Sequence, residues 1–278
     1  MSSNGPGVAP AFPTPQSPLA EPAAARGQSE DRISRARWCV SAAGILAGLA
    51  AFGLGEAVYQ LIPAVEKRVV TMGTAHTGPT TETMLVAEAR NGALTFGVLG
   101  LCVGALMGMA GGAARRSASA LLLAGLLGSI LGLALGASVS LAILPFFLDA
   151  LPAYTQYDLI LSLIMHASIW GLSGAVAGLA FAVGLGEFRL IGRSASAGFI
   201  GAVLGTLVFE LVGAAAFPMD STGRPISTTW ASRLLARFVV PVATAAFVVL
   251  FVNAPASAPK EVGPSRDRKT EEGTTSST

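Results

Sequence analysis

Six apolar stretches follow one another along this chain, at 38–62, 91–114, 118–144, 158–186, 194–217 and 230–252. No other feature constrains the fold as hard. A helix needs about 20 apolar residues to cross roughly 30 Å of hydrocarbon. Inside that layer a segment must satisfy its own backbone N–H and C=O groups, which favours helices. Composition agrees, with 52% hydrophobic and 12% charged residues, against roughly 25% charged for a soluble domain. The chain therefore reads as an all-α polytopic transmembrane bundle of six spans. Only the sixth is short: its uncharged part, 238–252, rises roughly 22 Å at about 1.5 Å per residue. To cross, it must take Arg233 and Arg237 into the membrane.

Residues 1–37 are rich in Pro, Ala, Ser and Gly and read as a disordered tail, as do the polar residues 254–278. The first apolar run starts only at Trp38, which fits a span better than a cleaved leader. The longest connection is the loop at 64–90. Basic residues set an orientation. Arg26, Arg32, Arg35, Arg37, Arg115, Arg116, Arg189, Arg193, Lys260, Arg266, Arg268 and Lys269 fall on one side, and Lys67, Arg68, Arg90 and Arg224 on the other. By the positive-inside rule both termini are cytoplasmic, in an integral protein of the bacterial inner membrane. Trp38 marks the inner boundary, and Phe146, Phe147, Tyr154, Tyr157 and Trp230 the outer one.

The string RSASA opens span 3 at 116–120 and span 5 at 193–197. The same offset aligns Leu127, Gly128 and Ser129 with Leu204, Gly205 and Thr206, and Gly136 and Ala137 with Gly213 and Ala214. Chance in an Ala/Ser/Gly-rich sequence can produce such matches; a duplicated helical hairpin, spans 2–3 and 4–5, explains them together. Pro63, Pro145 and Pro218 each close an odd-numbered span in this reading, and spans 6 and 1 would form a split third hairpin.

Helices in lipid associate through close backbone approach at small residues. Span 2 supplies Gly100, Gly104, Gly108 and Gly112 on one face, and span 3 supplies Gly128, Gly132 and Gly136. Shorter pairs are Gly44/Gly48, Gly174/Gly178 and Gly201/Gly205. Span 6 has no glycine, so it is expected at the lipid-facing periphery.

Charged side chains at membrane depth are the candidate site. Glu56 and Glu210 lie seven and eight residues before Pro63 and Pro218. His166 enters from span 4, and Arg233 and Arg237 share a face of span 6 at i, i+4. All five fall in the outer half. A charge at the bilayer centre costs about 2.5–3.5 kcal/mol, which favours a partner or water. The expectation is that Glu56 and Glu210 pair with Arg233 and Arg237, with His166 nearby, as a substrate- or ion-binding site. The competing expectations are snorkelling arginines, protonated glutamates, and pairs that only fix helix register.

The segment GLSGAVAGL, 171–179, resembles the serine motif of rhomboid intramembrane proteases. That resemblance implies Ser173 as nucleophile and a histidine on a later span as base. No histidine follows Ser173, and His166 sits seven residues earlier on the same helix, about 10 Å away in rise. The chain departs from the motif at the residue the chemistry needs, so it is not read as an enzyme. Cys39 and Cys102 make no CxxC or Cys/His spacing, no loop offers a metal-binding cluster, and no cofactor is expected. The net charge of +2, with no basic patch interleaved with aromatics, excludes nucleic acid as a partner. Expected partners are the lipid bilayer, a second copy of the chain, or other membrane proteins. The functional expectation is a small-solute or ion transporter or permeation protein. Its rival is a non-transporting scaffold or assembly protein whose buried charges fix packing.

Overall fold

The structure, a computed structural model, describes residues 23–71, 74–150, 158–217 and 224–253. Tyr154, Tyr157, Pro218 and the expected tail at 254–278 lie outside the described residues, as do residues 1–22 of the N-terminal tail. Helix α1 spans Ala23–Ala57, α2 Thr81–Ala114, α3 Ala118–Ala150, α4 Asp158–Leu185, α5 Ile191–Ala216 and α6 Trp230–Asn253. Among the described residues, six helices are long and apolar enough to cross a membrane, which makes this an integral membrane protein of the expected class. Helix α1 reaches back to Ala23, into the stretch that composition suggested was tail.

The loop at 64–90 is not featureless. Strands β1 (Glu66–Thr71) and β2 (Thr74–Pro79) form an antiparallel hairpin with Glu66 opposite Pro79 and Thr71 opposite Thr74. Helix α2 then starts about three turns earlier than its apolar run. A capping box starts it: Thr83 N–H donates to Thr80 Oγ1 (3.3 Å) and Thr80 N–H to Thr83 Oγ1 (2.9 Å). With 34 residues it is about 51 Å long, so its first turns stand clear of a hydrocarbon layer of roughly 30 Å. The end of the bundle beside this hairpin is called the hairpin end below.

Around the bundle the helices meet in chain order, each of α1 to α5 against the next and α6 back against α1; α2 also packs on α4 through the middle. Glycines set these spacings. Gly100 faces Gly132, Gly104 faces Gly128, and Gly136 faces Phe96, so closely that a Cβ at any of them would overlap the opposing backbone. Gly108 is used twice, against Ala124 of α3 and beside Gly184 of α4. Between α4 and α5 the same role falls to Gly174 with Gly198 and Gly178 with Ser194.

The two RSASA strings occupy different local structures. Arg116 has φ 58° in the turn that closes α2, where Ser117 N–H reaches back to Gly112 O and Arg116 N–H to Ala113 O. Arg193 lies inside α5. Pro145 does not end its span: α3 continues to Ala150, and Phe147 and Leu148 bury the extra turn. A proline inside a membrane helix is tolerated where neighbouring groups absorb the lost hydrogen bond.

Helix α6 is not peripheral, contrary to the expectation from its lack of glycine. Its apolar window is 39% buried, equal to α1 and α5, whereas glycine-rich α3 is the most exposed at 28%. Close approach needs a small residue on one side only, and here the partners supply it. Gly44 and Gly48 of α1 receive Ala245 and Phe238, and Gly201 and Gly205 of α5 receive Phe247 and Ala243.

Candidate functional site

The five expected side chains converge at the hairpin end, but their pairing differs from the expected one. Glu56, in the last turn of α1, takes both arginines. Arg233 donates to it through two parallel hydrogen bonds, Nε to Oε1 at 2.7 Å and Nη2 to Oε2 at 2.6 Å. Arg237 adds Nη1 to Oε1 at 2.8 Å. The fork of a guanidinium matches a carboxylate in this bidentate geometry. Room for the second arginine comes from the sequence GLGE: a Cβ on Gly55 would sit 2.5 Å from the Arg237 guanidinium carbon. Arg237 Nη1 also reaches Phe52 O at 3.4 Å, and the Arg233 guanidinium lies 3.9 Å over the Tyr59 ring.

Glu210 pairs with α4, not α6. The sequence placed it among the arginines because opposite charges in one membrane half are the simplest neutral set. In the fold α5 turns Glu210 onto its hairpin partner, while the arginines of α6 reach across to α1. Glu210 Oε1 lies 2.6 Å from His166 Nδ1 and accepts from Ser162 Oγ at 2.7 Å. Ser162 and His166 are one turn apart on α4, with Oγ and Nδ1 3.3 Å from each other. All three side chains are buried. The imidazole sits in an aromatic cage of Phe96, Trp170 and Phe209, with centroid distances of 6.2, 5.6 and 6.0 Å.

The second imidazole nitrogen, Nε2, faces Pro225 O at 3.3 Å. A carbonyl only accepts, so this contact is a hydrogen bond in the tautomer that carries hydrogen on Nε2, and the short Nδ1–Oε1 contact needs a proton between its atoms. With both of these protons present the His166–Glu210 pair carries no net charge.

Pro225 belongs to a strap, residues 224–228, that lies across the cluster between α5 and α6. Two of the buried groups hold it: His166 at Pro225 O, and Arg233 Nη1 at Ser227 O (3.2 Å) and Thr228 O (2.7 Å). Outside the strap is a cleft of about 320 Å³ lined by Tyr59, Gln60, Ile62, Glu88, Asn91, Arg224, Ile226 and Thr228, among others. Beneath it is a cavity of about 20 Å³, lined by Thr95, Phe96, His166, Trp170, Phe209, Pro225, Ile226, Ser227, Arg233, Ala236 and Arg237. Ile226 borders both.

Sequence reading missed Ser162, Thr95, Trp170, Asn91 and the strap. Asn91 fastens the chain after α1 to α2, with Nδ2 donating to Ile62 O (2.8 Å) and Oδ1 accepting from Ile62 N–H (2.9 Å). A signal for Ser162 existed: it stands four residues before His166, on the same face. Elsewhere, Ser173 Oγ donates to Ile169 O at 3.0 Å within its own helix and is buried. No group of three His, Cys, Asp or Glu that could hold a metal occurs among the described residues. Comparison with known proteins places no relative beside this site: no family model, no curated protein and no solved structure matches the chain.

Proposed function

We propose that the protein is a small-solute or ion permeation protein of the bacterial inner membrane, with both termini cytoplasmic and the hairpin end facing outward. It has no catalytic role in this reading. The observation that supports it is a small cavity lined by His166, Arg233 and Arg237 that adjoins the larger cleft, with Ile226 lining both. A solute entering from the hairpin end meets Glu88, Asn91 and Arg224 first, then the strap, then Arg237 and His166. The strap is the outer gate. Its anchors are hydrogen bonds to backbone carbonyls, so it can lift without breaking the Glu56–arginine contacts.

The scaffold alternative has its own support, because Glu56 clamps α1 to α6 and so closes the ring of helices. Solvent access separates the two. In a background with Cys39→Ser and Cys102→Ala, the Thr95→Cys variant is exposed to a small membrane-impermeant methanethiosulfonate added outside intact cells. Permeation predicts modification, faster when Ile226→Ala is added. A thiol at position 95 that stays inert in both backgrounds leaves the cluster as a fastening and sinks the permeation reading.

A further inference from the structure

The cavity under the strap is lined by hydrogen-bond donors that the protein does not use. Arg237 Nη2, Trp170 Nε1 and Thr95 Oγ1 are buried and have no hydrogen-bond partner among the described residues, and all three residues line this one space. They come from α6, α4 and α2. An indole N–H and a guanidinium N–H only donate, and a threonine hydroxyl can do so. Leaving a buried donor unmet is costly, and three around one cavity specify an acceptor.

Charge gives the acceptor its sign. Glu56 contributes one negative charge and Arg233 and Arg237 two positive ones. With a proton on Nε2 toward Pro225 O and one shared between Nδ1 and Oε1, the His166–Glu210 pair adds no net charge, and Glu88 and Arg224 in the adjoining cleft cancel formally. On that count one positive charge is left over; both guanidinium groups line the cavity, and Arg237 has its unpartnered N–H there. Size gives the rest. A volume of about 20 Å³ exceeds the roughly 10–15 Å³ that admits a water-sized particle, and it is too small for sulfate or a carboxylic acid. We infer that the cavity binds one small monovalent anion of halide size, held by Arg237 Nη2, Trp170 Nε1 and Thr95 Oγ1.

The inference does not depend on permeation. It is tested on full-length protein in detergent, moved into gluconate buffer. Thermal unfolding is followed as chloride or bromide replaces gluconate at fixed ionic strength, with sulfate in parallel. The anion site predicts a saturable rise in Tm with both halides and none with sulfate. Thr95→Val, which keeps the shape and removes the hydroxyl, should raise the half-saturating concentration about tenfold, as expected for one lost hydrogen bond to a charged group. Trp170→Phe should act in the same direction. A Tm indifferent to which anion is present, or a halide response unchanged in both variants, means that the cavity holds water and overturns the assignment. Halide binding together with an inert thiol in the Thr95→Cys variant would remove the permeation reading alone; a reactive thiol there without halide dependence would remove the anion alone.

Discussion

Glu56 and Arg233 stand 177 positions apart in the chain and meet through two parallel hydrogen bonds of 2.7 and 2.6 Å. Their contact joins the first span to the last. The same guanidinium stacks on Tyr59 and holds the strap through Ser227 O and Thr228 O. Arg233→Lys is therefore not conservative: an ammonium keeps the charge but cannot form the fork and the strap contacts together. Folded yield in detergent should fall well below wild type, and limited proteolysis should cut more readily near 224–228. A lysine variant that matches wild type in both would show that charge alone suffices.

The His166–Glu210 pair should behave as a buried polar unit. Glu210→Ala takes the carboxylate from both His166 Nδ1 and Ser162 Oγ and should cost about 3–5 kcal/mol, the range for stripping one member of a buried pair. Replacing both members with apolar residues, His166→Phe with Glu210→Leu, should recover part of that loss, because neither member is left behind and only Ser162 Oγ and Pro225 O lose a partner. Equilibrium unfolding in mixed micelles measures both. A double variant as unstable as Glu210→Ala would count against the pairing.

Gly55 and Gly53 make a controlled comparison two residues apart. A methyl at position 55 runs into the Arg237 guanidinium, whereas at position 53 it meets nothing within 4 Å. Gly55→Ala should destabilise by about 1–3 kcal/mol through overpacking. Gly53→Ala should be neutral or stabilising by up to about 1 kcal/mol, since alanine is the better helix former. Equal effects at the two positions would mean that Arg237 does not lie against α1.

Asn91→Leu removes both hydrogen bonds to Ile62 and leaves that backbone unpaired beside the cleft. The cost should be about 1–3 kcal/mol. Hydrogen exchange at Ile62 should speed up while exchange in α4 and α5 stays at the wild-type rate. Unchanged exchange at Ile62 would place the chain after α1 elsewhere.

Much of this architecture could be read from the sequence, because apolar length and glycine spacing are local properties. All six spans were found, but α1 and α2 start well before their apolar runs, at Ala23 and Thr81, because their polar first turns fall outside any hydropathy window, and α3 runs on past Pro145 to Ala150. The β-hairpin was missed: its strands, EKRVVT and TAHTGP, are polar, exposed and lack alternation. Which five charged residues belong together followed from depth alone. Which pairs with which did not, since pairing depends on helix rotation, and no one-dimensional count of charges contains that. The position of α6 was misjudged for a related reason: a glycine groove belongs to the helix that receives, and here α1 and α5 receive.

The central claim is the partition of the buried charges into a Glu56–arginine group and a His166–Glu210 pair. Double-mutant cycles on unfolding free energy test it most directly. Glu56→Gln with Arg233→Gln, and Glu210→Gln with His166→Gln, should each show coupling of about 1 kcal/mol or more, exceeding that of Glu210→Gln with Arg237→Gln. Strong coupling of Glu210 to Arg237, with none to His166, would contradict the arrangement described.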